Sequence, residues 1–397
     1  MTAKIAFFCL IWAILLTSCG QKKPDDNAVA TSAISANDSL KAHAKELADK
    51  YIIVDGHIDL PDHLKEKKYT AGVDSPDTII STKQGEFDYT RAKQGGLDAP
   101  FMSIYIPIEY QDKKDMGKAC ADSLINTVVA ITKALPDKFA LANTPAEIEA
   151  NTRAGKISLP MGMENGAPIG KDLKNLKYFY DRGIRYITLA HNKDNQICDA
   201  SRDSSHTNKG LSAFGKKVVA EMNRLGIMVD ISHVDDETFY QVMEISKAPA
   251  IASHSSCRKF SPKATRDMTD DMIRKLGEKD GVIMINFYTA FLDSTAMKTM
   301  GEFDATHPNP TNIETVANHI DNVVKIAGID HVGIGSDFDG VMGSLPVGLE
   351  DVSKYPDLIY TLLKRGYSDE DIEKICYKNA FRVWNKVIDV SKQMQGQ

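Results

Sequence analysis

Short runs of Val, Ile, Leu, Met and Ala recur along this chain from about residue 50, and most of them stop abruptly on a polar or charged residue. Eight runs predict strands, at 52–54, 101–106, 159–163, 186–190, 228–231, 250–252, 282–286 and 331–335. They do not alternate with polar residues, which marks strands buried on both faces, as in a parallel sheet. Between them, apolar positions return at helical spacing in 118–135, 173–182, 212–225, 236–245, 270–277 and 312–327. Thr269 before Asp270 and Ser368 before Asp369 are helix-start signals, and Gly183 and Gly226 are helix stops. Strand and helix in alternation imply parallel strands with right-handed crossovers, and eight of them close a (β/α)8 TIM barrel. A last helix, from Ser368 to about Val390, is expected on the barrel's outside. A doubly wound open sheet is the rival fold, but no glycine-rich phosphate loop follows the first strand to favour it.

The ends of the runs carry the chemistry. Four of the ten histidines close apolar runs, in VDGHIDLP, YITLAHN, VDISHV and IASHSS, and carboxylates close MGMENG and GIGSDFDG. In a (β/α)8 barrel all strand ends meet on one rim, so His57, Asp59, Glu164, His191, His233, His254 and Asp337 converge there. Any one of them has an ordinary explanation, as a core histidine or a turn aspartate. Seven on one rim point to a shared metal site. Imidazole and carboxylate without thiolate suit Zn²⁺, with Mn²⁺ or Co²⁺ as substitutes. His57 and Asp59, two apart on an extended strand, face the same side and can chelate together. His233 and His254, from adjacent strands, can hold a second ion, with Glu164 as the bridge. His43, His63, His206, His307, His319 and His331 lie off strand ends and receive no role.

Composition changes this picture little. At 397 residues, 43% hydrophobic and 26% charged, the chain suits one barrel domain, read here as 39–397. A formal net charge of −6 with scattered lysines leaves no basic stripe for nucleic acid. The N-terminus adds a location. Lys4, the apolar stretch 5–16 and Leu16-Thr17-Ser18-Cys19 have the order of a secretory signal over 1–18, too short to span a bilayer as a helix. Cys after Leu-Thr-Ser resembles a bacterial lipobox, which predicts Cys19 as a lipidated residue and residues 19–38 as a flexible tether. The protein is then expected in a bacterial cell envelope, lipid-anchored, with Gly20 leaning towards the outer membrane. Cys120, Cys198, Cys257 and Cys376 show no disulfide framework.

The ordered series VDGHIDLP, RAKQGGLDAPFMSIY, GMENG, YITLAHN, DISHV, SHSS with a downstream TRDM, INFY and GIGSDFDG resembles the membrane (renal-type) dipeptidase family of dinuclear zinc peptidases, in the amidohydrolase-like superfamily. It covers about residues 45 to 390. The resemblance implies two Zn²⁺ per chain and hydrolysis of free dipeptides, including some with a C-terminal D-residue, by a metal-bridging hydroxide. By motif, His57 and Asp59 bind one zinc, His233 and His254 the other, and Glu164 bridges. His191 then stabilises the oxyanion, while Asp337 orients the water and shuttles its proton to the leaving amine. Arg266, twelve residues after His254, matches the arginine that grips the substrate carboxylate, a group a guanidinium holds bidentately. Tyr288 matches a position lining the pocket. Homodimerisation is a further family expectation. Asn165 after Glu164 departs from the family's usual glycine, so the pocket wall is expected to differ. HxD rather than HxH on the first strand, with no strand-end lysine, separates the chain from phosphotriesterase- and dihydroorotase-like relatives. Two alternatives remain at this point: a related metal amidase acting on lactams, N-acyl amino acids or cell-wall peptides, and a non-catalytic binding lipoprotein.

Overall fold

The computed structural model describes residues 26–67, 77–113, 115–304 and 306–396. Ten strands occur among them: β1 (Ile53–Ile58), β2 (Leu97–Tyr105), β3 (Phe139–Leu141), β4 (Ile157–Leu159), β5 (Met161–Glu164), β6 (Ile184–Thr188), β7 (Met228–Asp230), β8 (Ile251–Ser255), β9 (Val282–Ile285) and β10 (Val332–Ile334). Eight close a parallel barrel in the order β1-β10-β9-β8-β7-β6-β5-β2, which follows the chain round the ring. This is the expected (β/α)8 barrel, and every barrel strand is buried along nearly its whole length.

Two details depart from the sequence reading. The run 159–163 is two strands, because Pro160 lacks an N–H and breaks the ladder between them. Leu159 ends β4, which pairs in parallel with β3 outside the barrel, and Met161 begins β5. The first two strands are also longer than their apolar cores, so His57 lies inside β1 rather than beyond it.

The expected helices follow their strands at Met116–Ala134, Lys174–Asp181, Ala213–Leu225, Asp236–Ile245, Asp270–Glu278 and Ile313–Ala327. Their starts are chemically specified: Ser212, Asp235, Thr269 and Asn312 each cap with a side-chain oxygen that accepts a backbone N–H of the first turn. The C-terminal helix Asn379–Met394 lies outside the barrel and closes its floor, the end where the strands begin. Its Trp384 is fully buried with Phe101, 5.3 Å between ring centres, in a cluster that includes Val54, Met228, Ile251 and Met284. Burying such a side chain stabilises by roughly 1.5–3 kcal/mol, and it leaves the opposite end of the barrel for function.

A helix spans Asp26–Lys50. Its part up to Ser39 belongs to a unit of its own, and the compact body starts at Leu40. The stretch expected as a tether is therefore helical backbone from Asp26 on; between Asp26 and Lys50 there is no Gly or Pro and much Ala, the best helix former. Cys19 and the signal 1–18 lie outside the described residues. Among the described residues no helix is long and apolar enough to cross a membrane. The four cysteines of the body are free and buried.

Candidate metal centre

The rim at the strand ends holds His57, Asp59, Glu164, His191, His233, His254 and Asp337 together. Glu164, the last residue of β5, stands at the middle and is buried. Its Oε2 faces His57 Nε2 at 3.5 Å, and His57 Nε2 in turn lies 3.3 Å from Asp59 Oδ2. Its Oε1 faces His233 Nε2 at 3.0 Å, His254 Nε2 at 3.5 Å and His191 Nε2 at 3.6 Å. Two half-sites thus share one carboxylate.

For His57 and His254 the surroundings fix which nitrogen faces the centre with its lone pair. Tyr186 Oη donates to the Gly56 carbonyl at 3.0 Å, so at 2.8 Å from His57 Nδ1 it accepts that ring's N–H. His57 Nε2 is left as a bare lone pair, with no hydrogen-bond partner. Ser253 Oγ donates to Asp230 Oδ2 at 2.7 Å and so accepts from His254 Nδ1 at 2.8 Å. His254 Nε2 therefore carries a lone pair too, and it stands 3.0 Å from His233 Nε2 and 3.5 Å from a carboxylate oxygen. His57 Nε2, His254 Nε2 and the Glu164 oxygens are acceptors that repel one another unless a cation lies among them. The hydrogen-bonded far sides of the His57 and His254 rings are how metal-binding histidines are oriented, while His233 Nδ1 has no such partner. Asp59 Oδ1 is also buried without a partner. The N and O donor set therefore fits divalent metal ions such as zinc.

Electrostatics put Glu164, His233 and His254 in their metal-binding forms, whereas at His57 burial is outweighed by Tyr186, Asp59 and Glu164, which hold the ring well above the usual imidazole range. Burial opposes charge on Glu164, but His191 and His57 outweigh it and hold the carboxyl well below the usual range. Burial, with His57 and Arg266 adding to it, pushes His254 down to about 3, and burial with Arg266 and His191 lowers His233 strongly. Neutral imidazoles at His233 and His254 beside an ionised Glu164 are what a metal requires, and a cation bound at His57 Nε2 would displace the proton held there.

Backbone geometry is also unusual here. His233 and Asp337 sit at φ +68°, and Asn165 at +77°, in the left-handed region that costs a side chain of this kind of order 1–3 kcal/mol. Asn165 directly follows β5, and His233 and Asp337 lie three residues beyond β7 and β10. Gly340 completes the enclosure: a Cβ there would lie 2.2 Å from Asp59 Oδ2. Asp337 has one oxygen held by Asn286 Nδ2 at 2.8 Å and the other 4.0 Å from His57 Nε2.

A cavity of about 410 Å³ opens above this cluster, within the roughly 300–1,000 Å³ usual for small-molecule sites. Tyr105, His191, Tyr288, Phe291 and Asp337 line it. So does His63, to which the sequence reading had given no role. Arg266 is 4% exposed, which excludes a surface arginine, and it does not pair with Asp267, whose carboxylate oxygens have no partner. Its Nη atoms donate to His254 O and Ser255 Oγ, and its Nε is free. It lies behind the His254 wall, with its guanidinium 5.6 Å from the Phe291 ring centre.

The supports Tyr186, Asp230, Ser253, Asp55 and Asn286 escaped the sequence reading. Asp55 and Asp230 had left a signal, a carboxylate inside an apolar strand run. Asp55 accepts from the His57 and Ser336 amides and from Tyr355 Oη. Asp230 accepts from Thr188 Oγ1, the Ser232 and Ser253 amides and Ser253 Oγ.

Residues 41–397 match the membrane dipeptidase family, Peptidase family M19. The chain belongs to that family. A relative described as an uncharacterized dipeptidase of Schizosaccharomyces pombe is 36% identical over 351 residues, covering 85% of this chain and 81% of that protein. A metallopeptidase from Rhodobacter sphaeroides, solved with a phosphinate mimic of the dipeptide L-Ala-D-Ala, is 27% identical with a TM-score of 0.75, over 85% of this chain and 99% of that one. The probable dipeptidase of Pseudomonas aeruginosa, 24% identical with a TM-score of 0.76 over 89% and 99% of the two chains, shares the fold. This membrane dipeptidase family member is accordingly a hydrolase, a metallopeptidase of the dipeptidase class.

Proposed function

We propose that the enzyme holds two Zn²⁺ ions and hydrolyses free dipeptides, including some with a C-terminal D-residue. One observation carries this reading: the two oxygens of Glu164 face two separate donor sets, His57 with Asp59 and His233 with His254. The ligand in the Rhodobacter relative, a mimic of L-Ala-D-Ala, supports the D-residue.

Bound in these sets, the ions would supply Lewis acidity towards water and the scissile carbonyl. The remaining steps belong to side chains. Arg266 does not line the cavity, but its unpaired Nε–H edge, buried behind the His254 wall, would hold the substrate's terminal carboxylate once uncovered and so set the peptide's direction. His191, kept neutral because burial lowers its pKa, presents Nε2 towards the reacting centre and donates to the developing oxyanion. Asp337 takes a proton from the attacking water on the oxygen that Asn286 leaves free and passes it to the nitrogen of the breaking C–N bond. Tyr288 and Phe291 wall the site beside Arg266. We further place the chain in a bacterial envelope, anchored through a lipid on Cys19, and expect a homodimer.

The test is metal analysis of the purified protein with a panel of Ala-Ala, Ala-D-Ala and N-acetyl-Ala-Ala, each with and without chelator. Chelator-sensitive cleavage of the free dipeptides is expected, with kcat lowered roughly 10²–10⁴-fold by Asp337→Asn. Cleavage of the N-acyl compound alone would favour the amidase alternative, and a metal-free inactive protein the binding lipoprotein. A Cys19→Ala protein that still partitions with membranes would end the anchor proposal.

A further inference from the structure

The cavity wall holds a cation that the mechanism does not use. Among the described residues lining it, Arg202 is the single one with a permanent positive charge, and no hydrogen bond or ion pair occupies its guanidinium. Its position is fixed although its side chain is exposed. The preceding residue, Ser201, donates its N–H to the His233 carbonyl at 2.8 Å and accepts from Thr265 Oγ1, next to Arg266, at 2.8 Å. Ala200 pairs with Val234 across a β-bridge, and Asp194 ties the loop by accepting from the Ala200 and Thr207 amides. Arg202 is therefore bolted between a residue of the metal cluster and the segment that carries Arg266.

The wall between the two arginines is continuous. Arg266 lies against Phe291, and Phe291 makes an edge contact with Tyr288 at 4.9 Å between ring centres. Burial raises the Tyr288 phenol and the nearby Arg202 charge draws it back. The acids of the helix after β1, Asp62 and Glu66, line the same cavity from a strand three steps away round the barrel. Permanent positive charge on the described cavity wall is thus confined to Arg202, with Arg266 buried behind that wall next to Phe291. A dipeptide's C-terminal residue offers one main-chain carboxylate for Arg266, and its side chain branches from the same carbon.

We propose that Arg202 selects the side chain of the C-terminal residue, favouring dipeptides that end in Asp or Glu. This rests on the dipeptidase reading above. It makes Arg202 a specificity residue, one that adds affinity for a second carboxylate without taking part in bond breaking.

The test compares each acid with its neutral isostere on the metal-loaded enzyme: Ala-Asp against Ala-Asn and Ala-Glu against Ala-Gln, with the C-terminal residue in L and D forms. The wild type is expected to prefer the acids in kcat/KM, and Arg202→Ala to lower that ratio about tenfold, mainly through KM, as loss of a charge-assisted pair does. Because the guanidinium is exposed, the preference shrinks as salt rises and the screening length falls below roughly 10 Å. Arg202→Glu reverses it. An acid-to-amide ratio that Arg202→Ala leaves unchanged overturns the proposal. So does an equal loss on all four substrates, which would make Arg202 a brace or a second grip on the shared carboxylate. A wild type that cleaves none of them fails the dipeptidase reading and takes this inference with it, whereas one that cleaves acids and amides alike fails this inference alone.

Discussion

Tyr186→Phe removes one oxygen from the wall behind the metal centre and leaves the ring in place. That oxygen accepts from His57 Nδ1 at 2.8 Å and donates to the Gly56 carbonyl at 3.0 Å, both inside the barrel. Its loss leaves a buried N–H and weakens a buried carbonyl, a cost of about 2 kcal/mol in the metal-free protein. For a domain of this length that is about 3 °C in Tm. The metal-loaded protein loses more. Without its partner the His57 ring is free to take the other tautomer and turn its N–H towards the metal, and removing such outer partners lowers affinity by about 10–100-fold, or about 1.4–2.7 kcal/mol. Competition with a chromophoric chelator measures the affinity, and activity titrated with added Zn²⁺ reads the same loss independently. Excess metal is expected to restore most of the activity. Wild-type affinity in the variant would refute the tautomer reasoning, as would an activity loss that metal does not rescue.

Other outcomes follow from the same contacts. Gly162→Ala would place a Cβ 1.9 Å from Tyr186 Cζ; overpacking of this kind costs roughly 1–3 kcal/mol, so a lower Tm together with weaker metal binding is expected, and an unchanged Tm would contradict the packing. Arg266→Lys keeps the charge but loses the fork, and KM for dipeptides should rise well beyond any change in kcat; an unchanged KM removes the carboxylate role. Asp98, 8% exposed in β2, is pushed up to about 6 from 3.8, chiefly by burial. A raised acid favours the folded state while protonated, so this contribution is full below about pH 4 and lost as pH rises through 6, a swing of about 3 kcal/mol. Asp98→Asn should therefore be more stable than wild type at pH 8 in denaturant titrations and lose that advantage by pH 4; a pH-independent difference would refute the assignment.

The residues that meet on the rim were legible because each breaks a local rule. An apolar run that ends in His or Glu buries a polar group that needs a partner, and a parallel barrel brings all such ends to one place. The supporting residues were less visible, since Tyr186 and Ser253 are ordinary residues for a buried strand. Arg202 sits in a polar loop where arginines are common, and only the hydrogen bonds of Ser201 bring it to the cavity. The helix at Asp26–Ser39 went unread because its small polar residues resemble a linker, although its alanines favour a helix.

The apolar runs and their spacing determined the barrel, since continuous burial on both faces has few solutions other than parallel strands covered by helices. The residue types at the strand ends determined that a nitrogen and oxygen metal site forms. What the tertiary structure alone decided is which atom of each residue faces the centre. That depends on partners far apart in sequence: Tyr186 turning His57, Ser253 and Asp230 turning His254, Asn286 occupying half of Asp337. Spacing along a chain sets which residues share a face. Only packing across the barrel sets the direction of a lone pair, and the chemistry of a metal centre depends on that direction.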